Sequence, residues 1–239
     1  MGWRGVFMHF RGCSGEPNRL ARCYHAGETE DFAALVDTLR QREPHTPLAA
    51  VGFSLGGNVL LKWLGELGER APLQAAVAVS VPFDLANSVQ RINEGFSRAY
   101  QLRLVRGLRK SIQAKFNRIA APPNLGNLRR LRSIREYDDN VTAPLHGFAN
   151  ADEYYSRSSS RQYLKNIRIP TLILHATDDP LMSAQAIPQT NELSSSTRLE
   201  LSERGGHLGF VGGKYPWRPE YWLELRISEF LSTTLRKPA

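Results

Sequence analysis

The run Gly52-Phe-Ser54-Leu-Gly56 sets a serine between two glycines in the pattern G-x-S-x-G. It follows the apolar stretch Leu48 to Val51 and opens a helical stretch from Gly57 to Leu67. A serine in such a strand-to-helix turn sits in a strained backbone conformation, with its hydroxyl at the carboxyl edge of a sheet. The following helix N-terminus favours negative charge developing nearby. Those are the requirements of a nucleophile for acyl transfer, whereas an ordinary tight turn needs only the glycines.

A serine nucleophile needs a base, and six histidines are available. His207 follows Gly205-Gly206 just after the last predicted strand, where two glycines let the loop bend back toward Ser54. His9 and His175 end predicted strands, so partial burial at a sheet edge accounts for them. His25, His45 and His146 lie in polar stretches and are expected to face solvent. The orienting acid should fall between serine and base in chain order. Thr177-Asp178-Asp179-Pro180 directly follows the apolar run at Leu172 and supplies two candidates. Asp179 is preferred because it stands immediately before the turn Pro180-Leu181, which leaves Asp178 as a loop or capping partner. Asp84, after the run ending near Phe83, is the remaining alternative.

The elements that must hold these residues alternate in character. Gly5 to Phe10, Leu48 to Val51, Ala75 to Val81, Leu172 to Leu174 and Arg198 to Leu201 read as short buried strands. Between the first two, Phe32, Leu35, Val36 and Leu39 fall at i, i+3, i+4 and i+7 on a helix spanning roughly Glu28 to Arg42. The tail from Pro219 to Leu235 is amphipathic. Strands alternating with helices imply an α/β fold with a mostly parallel sheet covered on both faces. About ninety residues separate the third and fourth strands, far more than a crossover needs, so 87–161 reads as a helical insertion capping the sheet. The whole of 1–239 is expected to form a single domain.

Composition removes other classes. With 41% hydrophobic and 23% charged residues, the 239-residue chain matches neither a disordered nor a fibrous protein. No apolar stretch approaches the ~20 residues of a membrane span, no leader is apparent, and two cysteines suit a reducing cytoplasm. The net charge of +8 is concentrated: between Ala86 and Arg135 twelve basic residues face a single acid, Glu94. A solvated helical face is the plain explanation, with attraction for an anionic ligand or peripheral contact with an anionic lipid second. Aromatic residues are too sparse there for nucleic acid, which is not expected as a partner. Cys13 and Cys23 lack a ligand cluster and no phosphate-binding loop is present, so neither a metal nor any other cofactor is expected.

Four ordered segments carry a resemblance: His9-Phe-Arg-Gly-Cys-Ser-Gly-Glu-Pro17, Gly52-Phe-Ser-Leu-Gly-Gly-Asn58, Thr177-Asp-Asp-Pro180 and Gly205-Gly-His-Leu-Gly-Phe210. Together they resemble the α/β-hydrolase family of the bacterial YheT proteins, which is similar to the ABHD1/ABHD3-type lipases and the yeast ethanol acyltransferases. The resemblance implies Ser54, Asp179 and His207 as a charge-relay triad, the Leu55 amide as an oxyanion donor, and hydrolysis of carboxylic esters or lipids. Transfer of the acyl group to an alcohol, and a non-catalytic binding role for the basic segment, are the alternatives. Proteins of this family are longer at the N-terminus. The resemblance therefore also implies a missing segment holding the first strands and the loop that gives the second oxyanion donor.

Overall fold

A computed structural model describes residues 2–122, 125, 127–215 and 217–235. Four strands, β1 (Ala49–Phe53), β2 (Ala75–Val79), β3 (Thr171–Ala176) and β4 (Thr197–Ser202), form one parallel sheet in the order β1-β2-β3-β4. Valine, alanine and leucine runs suit β2 and β3, which are buried on both faces, whereas the edge strands β1 and β4, expected to be buried, leave Val51, Phe53 and Leu201 exposed. Every residue of β2 is buried, and its side chains alternate between two cores. Ala76 and Ala78 face Leu61, Leu64 and Val36, which come from α1 (Glu30–Arg42) and α2 (Leu55–Leu67). Ala75, Val77 and Val79 face Leu223 and Leu231 of α8 (Trp222–Leu235). The predicted apolar face of α1 is used in this way, with the Phe32 ring edge-on to Trp63 at 4.9 Å.

Between β2 and β3 the chain is helical: α3 (Leu85–Ile92), α4 (Ser97–Phe116), α5 (Ile134–Tyr137), α6 (Ala143–His146) and α7 (Ala151–Ser158). α4 carries much of the basic charge, and Arg98, Arg103, Arg106 and Lys110 are exposed on it as a solvated face. Lys115 is the exception: it is buried, and its Nζ donates to the carbonyls of Ala21 and Arg22 at 3.2 and 2.7 Å. Asp84 caps α3, its side chain accepting from the Asn87 amide, and this occupies the carboxylate that sequence offered as an alternative acid.

Two expectations change. Gly5 to Phe10 is not a strand, and Phe7 is 82% exposed. A cavity of about 450 Å³ separates this segment from β1, so its amides find no ladder partner. The C-terminal helix starts at Trp222, after an antiparallel hairpin of β5 (Val211–Tyr215) and β6 (Arg218–Tyr221) that precedes it.

Candidate active site

Ser54 stands between the end of β1 and the first residue of α2, with φ +49° and ψ −121°. That conformation is costly for a serine and persists because its neighbours hold it. Its amide donates to the Val79 carbonyl at 2.8 Å, and its carbonyl accepts from Gly57 and Asn58. Glycine is required at 52, where a Cβ would lie 2.6 Å from the Gly56 carbonyl oxygen. At 56 the space is open, and the tight contact falls at Gly57 instead, against Val81.

Ser54 Oγ lies 2.9 Å from His207 Nε2, and His207 Nδ1 lies 2.8 Å from Asp179 Oδ2. Asp179 follows β3 and is only 4% exposed, and its second oxygen accepts from the Leu181 amide at 2.9 Å. Asp178 turns the other way. Its Oδ1 accepts from the amides of Gly205 and Gly206, pinning the start of the loop that carries His207. Gly206 makes that bend at φ +58°. Ser54, His207 and Asp179 thus form a continuous hydrogen-bonded chain, drawn from the segments that follow β1, β4 and β3. Leu55 is the first residue of α2, where a helical amide has no intrahelical acceptor and stays available to a ligand.

Ser54 and Leu55 open into a cavity of about 310 Å³ walled mainly by apolar side chains of α3 and α4, including Leu85, Val89, Ile92 and Leu108. Arg11 also lines it and is neutralised by Asp31, its Nε donating to Oδ2 at 3.0 Å. His25 and His146, expected in solvent, instead lie against each other in this wall with ring centroids 4.5 Å apart. His45 is exposed as expected, His9 is exposed rather than held at a sheet edge, and His175 is buried in β3.

Asn58 has no exposed surface. Its Nδ2 donates to the carbonyls of Ala26 and Ser158 at 2.9 and 2.8 Å, and its Oδ1 accepts from the Ser160 amide at 2.9 Å. The clue lay in its place one turn after Ser54, within the apolar start of α2.

Asp138, also in the cavity wall, accepts from Thr142 Oγ1 at 2.6 Å and Tyr155 Oη at 2.8 Å. Burial pushes its carboxyl up to about 6 despite those two donors. The folded protein therefore keeps a proton there, above about pH 4, that the unfolded chain has released, and stability falls as pH rises toward 6. Asp138→Asn removes that dependence. Relative to the parent, the variant should gain up to about 3 kcal/mol between pH 4 and 8, read from denaturant unfolding at both pH values. A stability difference that stays constant with pH would show that Asp138 ionises normally.

Among the described residues no helix is long and apolar enough to cross a membrane. Residues 1–214 match the alpha/beta hydrolase fold family. The chain is 47% identical over 236 residues to YheT of Escherichia coli, a candidate esterase by its name, covering 98% of this chain and 69% of that one. It is 33% identical to the mouse phospholipase ABHD3 and 30% identical to the medium-chain fatty acid ethyl ester synthase/esterase 2 of Saccharomyces cerevisiae. Those matches cover 92% and 95% of this chain, which spans about half the length of each, 54% in both cases. The fold is shared with an alpha/beta fold family hydrolase from Bacillus anthracis at TM-score 0.53 and 14% identity, covering 95% of this chain and 80% of that one. A Pyrococcus furiosus esterase gives TM-score 0.52 at 16% identity, covering 94% and 68%. The chain belongs to the α/β-hydrolase family, as an esterase- and lipase-like member of YheT type.

Proposed function

We propose that this protein hydrolyses carboxylic esters of apolar chains through an acyl-enzyme formed on Ser54. The observation that carries the reading is the hydrogen-bonded chain Ser54–His207–Asp179 opening into an apolar cavity. His207 Nε2 takes the hydroxyl proton as Ser54 Oγ attacks the ester carbonyl, and Asp179 holds the other ring nitrogen protonated and stabilises the imidazolium. The Leu55 amide receives the developing oxyanion at the start of α2. His207 then returns its proton to the leaving alcohol, and water attacks the acyl-enzyme by the same route in reverse. Residues 87–161 act as a cap whose helices α3 and α4 wall the acyl chain. Alcohol in place of water would give transesterification by the same intermediate, and an ethyl ester product in added ethanol would reveal it.

Fluorophosphonate labelling tests the reading directly. The parent chain should take one label, and Ser54→Ala should take none while melting at the same temperature. A folded parent chain that takes no label sinks the serine-hydrolase assignment and leaves the basic face of α4 as the part to study.

A further inference from the structure

The pair His25 and His146 is not used by the reaction as described. The two rings meet in the wall of the Ser54 cavity, with Phe148 and Tyr154 edge-on to His25 at 5.6 and 5.7 Å. Each ring already makes one structural hydrogen bond as an acceptor. His25 Nδ1 accepts from the Gly27 amide at 3.1 Å, and His146 Nε2 accepts from the Cys23 amide at 3.4 Å. A nitrogen that accepts an amide proton carries none of its own, so the remaining proton sits on Nε2 of His25 and on Nδ1 of His146. Neither of those nitrogens has a protein partner among the described residues.

Burial, reinforced by His146 for His25 and by Lys115 for His146, holds the two rings neutral, down to about 3 and about 4. Neutral rings have one N–H each, and both remain free to donate within a mainly apolar wall. Lys115 does not compete for an incoming acceptor, because its ammonium already faces the carbonyls of Ala21 and Arg22 and lies 3.1 Å from Cys23 Sγ. Both rings are half-buried where they line the cavity, so an oxygen acceptor that enters it can meet their unpartnered N–H groups.

We infer that His25 Nε2–H and His146 Nδ1–H form a subsite that binds a second oxygen of the substrate, remote from the scissile carbonyl. The proposal rests on the esterase reading above and narrows its substrate class. Esters that carry a further carbonyl or similar acceptor along the chain are favoured over plain alkyl esters of the same length. Leu85, Val89 and Ile92 hold the apolar part, and the imidazole pair fixes where along the chain the oxygen must fall.

The test compares two p-nitrophenyl esters matched in chain length, the octanoate and the ester of monomethyl adipate. The parent protein should prefer the adipate in kcat/KM. His25→Leu and His146→Leu should each lower that preference by about 3- to 10-fold, the worth of one neutral hydrogen bond, with octanoate turnover little changed. His25→Gln and His146→Asn keep an N–H near the original positions and should restore most of the preference. Equal loss on both esters in folded variants would mark the pair as packing and overturn the subsite, as would a preference that the leucine variants leave unmoved. If the leucine variants fail to fold, a parent protein without preference for the adipate overturns it alone. Octanoate turnover with fluorophosphonate labelling shows that the esterase reading survives such a result. Absence of both takes down the two together.

Discussion

Asp179→Asn is expected to lose about 10⁴-fold in kcat on an ester substrate with its fold intact, while Asp178→Asn stays within about tenfold of the parent. The two residues are adjacent and chemically identical, so the difference comes from what each oxygen touches. Asp179 has one oxygen on His207 Nδ1 and the other on the Leu181 amide, and it is almost fully buried. The Leu181 amide donates, so an asparagine at 179 keeps its carbonyl oxygen there and turns its NH2 toward His207. That amide can only donate to Nδ1, which moves the ring proton to Nε2 and removes the lone pair that must accept from Ser54. Asp178 uses one oxygen to accept from Gly205 and Gly206, and an asparagine oxygen does the same. Steady-state kinetics on both variants separates them. A collapse of Asp178→Asn with Asp179→Asn active would exchange their roles.

Much of this arrangement is legible in the sequence, for a physical reason. A strained serine needs glycine where the turn meets its own helix, and a base returning from the far edge needs a loop that can bend sharply. Gly52, Gly205 and Gly206 therefore mark positions at which other residues would clash or strain. The strands β1 to β3 are legible as continuous apolar runs, which suit strands under helical cover, whereas β4 mixes polar and apolar residues and is only partly buried. What escapes depends on partners distant in the chain. Gly5 to Phe10 has the composition of a strand, yet a strand exists only with a neighbour at hydrogen-bond distance, and a cavity lies between it and β1. His25 and His146 sit in polar stretches more than a hundred residues apart, so no local pattern announces that the rings meet. Lys115 reads as one more charge on a solvated helix, and only the packing of α4 over Ala21 and Arg22 buries it. Asp138, pushed up toward neutrality by burial, is equally silent in sequence.

Asn58→Leu should destabilise the protein by about 3–5 kcal/mol, the largest loss expected from one side chain outside the proposed triad. The residue has no exposed surface and ties α2 to two separate segments: Ala26 before α1, and the end of α7 at Ser158 with Ser160 just beyond it. Leucine matches its volume closely, so lost packing contributes little. The cost lies in two carbonyls and one amide left without partners where water cannot reach, each worth about 1–3 kcal/mol. Asn58→Asp separates this account from one of shape. Its oxygens can still accept from the Ser160 amide but face the carbonyls of Ala26 and Ser158, so it should be at least as damaging as leucine at neutral pH. Protonating the aspartate supplies a donor again, so part of the loss should return as the pH falls. Because the Asn58 backbone N–H donates to the Ser54 carbonyl, loosening these segments should slow fluorophosphonate labelling before global unfolding sets in. Denaturant titrations of both variants, with labelling rates measured below the transition, would decide the matter. Leucine tolerated within 1 kcal/mol would mean that the three groups find other partners, and that Asn58 does not hold α2 to the segments around Ala26 and Ser158.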